Sequence, residues 1–186
     1  MILLPVSKKA ETITLTPGAT LAGVRFHPAI GYGVLGKHWN TPTRLCPKDD
    51  NKFALYQTFA TLQQQCDALH RIEALYQWAE TYLDFTNLLP ASLEQALKRL
   101  EDGASPGQLN DNVPLSQRQI ERQFQLWLEM TPKHYQRILR IKKTIDYLRS
   151  YKNANLAEVA QYLGFSDQAH MTREFRDIAR TTPGKI

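Results

Sequence analysis

The sequence predicts a mostly helical protein with a small β-containing portion ahead of the helices, and three observations carry that expectation. From Lys52 onward, apolar residues recur at helical spacing in successive stripes. Between the stripes lie helix start and stop signals, among them Thr131-Pro132, Asn155 and Gly164. Alternating, β-rich runs are confined to Thr12 to Leu15 and Leu21 to Phe26, on either side of a Pro17-Gly18 turn. That is too little β material to close a sheet of its own.

Taken in order, residues 40 to 51 read as a loop. Phe53, Tyr56, Phe59, Ala60 and Gln63 form one stripe. Leu69, Ile72, Leu75, Tyr76, Ala79 and Leu83 form another, with Asp67 as its cap. The two stripes predict an antiparallel helix pair, Lys52 to Gln65 and Ala68 to Leu83. A linker follows over 85–91, and Ser92 is expected to cap a helix with Leu93, Ala96, Leu97 and Leu100 on one face. Ser116 should cap a helix whose inward positions are Ile120, Phe124 and Trp127. Thr131-Pro132 opens a long helix carrying Tyr135, Ile138, Leu139, Ile145 and Leu148, since proline suits the first helical position. Asn155 caps the next helix, Gly164 ends it, Ser166 caps another, and Thr182-Pro183 starts a last one that reads as a stub.

Length and composition narrow the function classes. At 186 residues there is room for two small domains. No apolar run approaches the roughly eighteen residues of a membrane span. The opening "MILLPVSKKA" has its charges after its apolar residues, unlike a signal peptide, so a cytoplasmic location is expected. Cys46 and Cys66 are too few for a disulfide framework and lack metal-ligand spacing; both are expected as buried free thiols. The net charge of +5 is unevenly placed: Ser116 to Lys152 holds nine basic and three acidic side chains. Such a cluster fits a phosphate-backbone partner or a solvated face.

The motif that carries function is "NLAEVAQYLGFSDQAHMTREF". Leu156, Val159, Ala160 and Leu163 face inward, Gly164 supplies a tight turn, and a second helix follows after three residues, sealed by Met171 and Phe175. Ala169, Thr172, Arg173 and Arg176 share the outer side, flanked by Gln168 and His170. In a helix-turn-helix, that side enters the major groove. A similar grammar appears fifty residues earlier in "SPGQLNDNVPLSQRQIERQF", whose outer stripe is Arg118, Glu121, Arg122 and Gln125. Between them the long helix, at 1.5 Å per residue, spans roughly 28 Å.

With "LSQRQIERQF", "TPKHYQRILRIKKTIDYL", "LAEVAQYLGFSDQAHMTREF" and "TTPGKI" in this order and spacing, residues 92 to 186 resemble the AraC/XylS-type transcription regulators. The resemblance implies a seven-helix domain over 92–186, with two helix-turn-helix units joined by a long central helix, bound to double-stranded promoter DNA. It implies base contacts from Arg118, Glu121 and Arg122 in the first unit and from Ala169, His170 and Arg173 in the second. Backbone contacts would come from Ser116, Gln117, Ser166, Gln168, Thr172, Arg176, Arg137 and Arg140. RNA polymerase and a second copy bound through the N-terminal part are further candidate partners. The first unit departs from the family pattern, with Asn110 in place of a small alanine and Pro114 in place of the turn glycine. Residues 1–84 resemble the end of the family's effector or partner domain, an α+β remnant of short strands and a helix pair, and no complete small-molecule pocket is expected there.

Two other readings compete. Ser166, Asp167 and His170, or the histidines at 27, 38, 70, 134 and 170, suggest catalysis. A nucleophile, its base and an orienting group must meet in space, and Ser166 and Asp167 are better explained as helix-start residues. No hydrolase, phosphate-loop or metalloprotease motif is present, and no cofactor or metal is expected. The alternative to DNA binding is a helical protein-interaction module that uses its basic face on an acidic partner.

Overall fold

The computed structural model of the protein describes residues 2–19, 23–27, 29–64, 67–83 and 88–186. Its elements are β1 (Ile2–Leu3), α1 (Ile30–Leu35), β2 (Thr43–Arg44), α2 (Leu55–Gln64), α3 (Ala68–Tyr82), α4 (Ala91–Glu101), α5 (Gln117–Leu128), α6 (Pro132–Ser150), α7 (Leu156–Tyr162) and α8 (Gln168–Glu174). Short 3-10 turns lie at Pro47–Asp49, Pro106–Asp111 and Pro183–Lys185, and a π-helical turn, Phe175–Ala179, prolongs α8. The described residues are mostly helical, as the sequence predicts. They fall into two compact units. The first is Met1–Val6, Ile13–Glu94 and Leu126–Leu128; the second is Ser7–Thr12, Gln95–Gln125 and Glu129–Ile186.

The first unit differs from the sequence reading in its β structure. Its only sheet among the described residues pairs β1 with β2 antiparallel, Ile2 opposite Arg44 and Leu3 opposite Thr43. Thr12 to Leu15 is irregular and exposed, because an alternating pattern makes a strand only where a partner edge accepts its hydrogen bonds. Leu21 to Phe26 lies partly outside the described residues; Gly23 to Phe26 is irregular.

Helix α1 is an addition. Gly31 and Gly33 each cost about 1 kcal/mol of helix propensity, yet Ile30 and Val34, four apart, are buried and outweigh that cost. Gly33 has a packing reason: a Cβ there would lie 2.5 Å from the Leu88 carbonyl oxygen. The core comprises Ile30, Val34, Leu45, Phe53, Leu55, Trp78, Leu83 and Leu88, with the Trp78 indole N–H donating to the Phe53 carbonyl at 2.6 Å.

The helix pair forms as α2 and α3, and Asp67 caps α3 by accepting from the Leu69 and His70 N–H groups. The predicted stripe is buried only in part, with Leu83 in the core and Leu75 and Ala79 half-buried. Trp78 is buried, whereas Leu69, Ile72 and Tyr76 are exposed. Cys46 is a free, half-buried thiol, and Cys66 lies outside the described residues.

From α4 onward the start signals act as expected, with two exceptions. Ser116, Thr131 and Asn155 cap α5, α6 and α7, and Ser116 closes a reciprocal capping box with Gln119. Ser92 does not cap α4, because the helix starts at Ala91 and takes Ser92 into its first turn. Asp167, not Ser166, caps α8, its carboxylate accepting from the His170 N–H at 2.6 Å; a carboxylate at that position gains more from the helix dipole than a hydroxyl. Leu93, Ala96, Leu97 and Leu100 are buried as predicted, as are Ile120 and Phe124, while Trp127 is half-buried. On α6, Tyr135 and Leu148 are buried, and Ile138, Leu139 and Ile145 only partly so. Ile141, Leu148, Val159, Ala160, Phe165, Met171, Phe175 and Ile178 form the core around α7 and α8.

Among the described residues no helix is long and apolar enough to cross a membrane, and no group of side chains could hold a metal ion.

Candidate nucleic-acid interface

Two helix-turn-helix arrangements are present in the second unit, built differently. In the second, α7 ends at Gly164, whose φ of +77° is the left-handed turn that the sequence predicts. An added Cβ there would touch nothing within 4 Å, so Gly164→Ala should cost only the backbone term, about 1–2 kcal/mol. A urea midpoint unchanged by that substitution would show that the turn relaxes at no cost.

In the first, the helix preceding α5 is not α-helical. Pro106–Asp111 forms a 3-10 turn that buries Leu109, and Val113 is buried just beyond it. No positive φ occurs at Pro114, and the Leu115 N–H bonds the Val113 carbonyl at 2.7 Å. The departures at Asn110 and Pro114 therefore change the geometry of this turn. Proline cannot adopt the glycine conformation, so the chain tightens instead.

The outer faces carry most of the predicted contact residues. Arg118, Glu121 and Arg122 are exposed on α5, as is Ser116 ahead of it. Gln117 is half-buried, its side-chain amide donating to Glu121 at 3.2 Å. Gln168, Ala169, Thr172, Arg173 and Arg176 line a shallow hollow on the outer side of α8, with Thr172 half-buried and its hydroxyl donating to the Gln168 carbonyl at 2.9 Å.

His170 stands apart from that face. Its ring is half-buried edge-on against Phe165, with Nδ1 3.1 Å from Ser166 Oγ and Nε2 3.5 Å from Glu174 Oε1. This line of Ser166, His170 and Glu174 resembles a relay, but it serves the fold. Nδ1 accepts the Ser166 backbone N–H at 3.3 Å, Asp167 is occupied as the cap, and Glu174 is held by arginine.

Arg137 and Arg140 both have partners within the fold. Both were expected on the phosphate side; both turn inward, to Glu174. Arg137 Nε donates to Glu174 Oε1 at 2.8 Å and its Nη2 to Asp177 at 3.0 Å. Arg140 Nη1 donates to the Gly164 carbonyl at 2.6 Å, its guanidinium lies over the Phe165 ring, and its Nε is 3.7 Å from Glu174 Oε2.

Glu174 itself, 6% exposed, was missed. A signal was available, because it shares the inward stripe of Met171, Phe175 and Ile178, where a charge must find a partner.

The acidic groups here are electrostatically tuned. Asp177 is held below the ordinary carboxylate range by its hydrogen bond to Lys9 and then by Arg137. The backbone N–H of His170 does the same for Asp167. Burial opposes the charge on Arg137, but its bonds to Glu174 and Asp177 raise its pKa overall. A lowered folded-state carboxylate contributes stability above its unfolded pKa, about 3.9, and loses it as pH falls through the folded value. The melting temperature should therefore hold steady down to about pH 5 and fall below about pH 4. Asp177→Asn should shallow that acid limb; an identical limb in the variant would remove Asp177 as a contributor.

Comparisons with known proteins find similarity over these residues. Residues 109–186 match the family described as a helix-turn-helix domain. The matched residues run from Leu109 to Ile186 and include α5, α6, α7 and α8. Among particular relatives, the chain is similar to the HTH-type transcriptional activator RhaS of Escherichia coli O157:H7 and of its strain EC4115 / EHEC. Each is 32% identical over 118 residues, which are 63% of this chain and 41% of the relative. The chain matches about two fifths of the length of these curated relatives. No solved structure matches it.

Proposed function

We propose that this protein is a sequence-specific regulator of transcription that binds double-stranded promoter DNA, inserting α5 and α8 into successive major grooves. One observation carries the reading. Two exposed, arginine-bearing faces, Arg118-Glu121-Arg122 and Ala169-Arg173-Arg176, belong to recognition-type helices that precede and follow α6 in the chain. At 1.5 Å per residue α6 is roughly 28 Å long, close to the ~34 Å recurrence of the groove on one face. Arginine in such a position bonds guanine O6 and N7 in a fork.

Base contacts are assigned to Arg118, Glu121, Arg122, Ala169 and Arg173, and backbone contacts to Ser116, Gln117, Ser166, Gln168, Thr172 and Arg176. A second copy would pack through the exposed Leu69, Ile72 and Tyr76 of α3.

The test is selection of bound sites from random duplex DNA, followed by binding at several salt concentrations. The logarithm of affinity should fall with the logarithm of salt by about 0.9 for each phosphate contacted. A flat dependence with no selected site would favour the other reading, a helical module whose basic face meets an acidic protein.

A further inference from the structure

We propose that Glu174 is a positioning residue for DNA readout by α8: hydrogen-bonded by Arg137 and faced by the Arg140 guanidinium, it sets the roll of the recognition helix about its own axis. The inference rests on the DNA-binding function proposed above and assigns how that function is made specific.

The apolar side of α8, Met171 and Phe175 with Ile178 beyond, holds the helix to the core, but apolar burial is non-directional and leaves the roll weakly defined. Charge-assisted hydrogen bonds are directional, and a guanidinium is a rigid fork. Arg137 uses that fork to bridge Glu174 and Asp177, one turn apart. Arg140, three residues further along α6, holds the turn through the Gly164 carbonyl and the Phe165 ring, and its Nε faces Glu174 Oε2. The same two arginines thus fix the turn that enters α8 and the last residue of α8.

The residue next to Glu174 is Arg173, about 100° around the helix. A roll of about 20° would swing a side-chain tip about 6 Å from the axis by roughly 2 Å. Productive recognition tolerates about 0.5 Å. A loosened clamp would therefore leave the helix folded and its reading blurred.

Two variants test this on the full chain, using a duplex obtained by selection and single-base variants of it in each half of the site. Arg137→Lys keeps the charge but removes the fork. Glu174→Gln keeps the shape but removes the charge.

Each should lose about tenfold in discrimination at the base positions read by α8, while discrimination in the α5 half and the salt dependence stay as in the parent. The double variant should lose no more than the worse single one. Equal discrimination in parent and variants would overturn the proposal, as would a uniform loss across all sequences, which is the mark of a lost phosphate contact. If Glu174→Gln does not fold, as judged by its thermal melt, Arg137→Lys carries the test alone. A parent chain that binds no duplex at low salt would overturn the DNA reading itself and the clamp's role with it. A parent that binds, with unaltered variants, would overturn only the clamp.

Discussion

Phe175→Ala is expected to destabilise the second unit by about 3–5 kcal/mol, read as a large drop in the urea midpoint followed by helical circular dichroism. The ring is 0% exposed and belongs to the core of Ile141, Leu148, Val159, Ala160, Phe165, Met171 and Ile178. Removing it forfeits the transfer free energy and contacts of six ring carbons, and leaves a cavity that packed neighbours fill only in part. Against a total stability of about 5–15 kcal/mol for a domain, that is a large share. The exposed neighbour Arg176 is the internal control, since Arg176→Ala should move stability by no more than about 0.5 kcal/mol. A Phe175→Ala loss below about 1 kcal/mol would place the ring outside the core.

Core packing of this kind explains why the helices from α4 onward were legible in the sequence. Leu93, Ala96, Leu97, Leu100, Ile120 and Phe124 are large or small apolar groups at helical spacing, and caps such as Thr131 and Asn155 lie where the spacing begins. Local preference, pattern and burial agree there. They disagree in the first unit. The α1 helix contains two glycines that weaken any helical signal, and its formation depends on where Ile30 and Val34 are buried, which no local rule supplies. The α3 stripe was ambiguous for a related reason. Leu69, Ile72 and Tyr76 form as good an apolar face as the one centred on Trp78, and only the tertiary partner decides which is covered.

At the candidate interface, the exposed arginines of α5 and α8 could be found from helical spacing alone. Arg137 and Arg140 could not be separated from them by charge, because a lone basic residue on a helix is usually solvated. What separates them is Glu174. A carboxylate at an inward position calls for a buried cation, and two arginines three apart on α6 answer it. The 3-10 turn at Pro106–Asp111 was foreshadowed by Asn110 and Pro114, residues that disfavour an α-helix and a left-handed turn, but its geometry follows from burying Leu109 and Val113. Asp167 displaced Ser166 as the α8 cap because two adjacent capping residues give the sequence no register.

Arg173→Ala should lower discrimination at one base position by about 1–3 kcal/mol, tenfold or more in relative affinity, while leaving the fold intact. Arg173 is exposed on α8, beside Ala169, Thr172 and Arg176, and its neighbour in sequence is the clamped Glu174. Truncating an exposed side chain creates no cavity, so the melting temperature should match the parent closely. The informative comparison is a duplex set with each base pair changed in turn. The parent should penalise a change at the guanine that the Arg173 fork meets; the variant should bind all pairs there alike and keep its preferences elsewhere. Arg176→Ala gives the contrasting pattern expected of a phosphate contact, with every sequence weakened alike and the salt slope reduced by about one. If Arg173→Ala behaved in that second way, the guanidinium would be holding backbone rather than reading a base. If preferences were unchanged at every position and affinity with them, α8 would not be meeting the groove through this face at all.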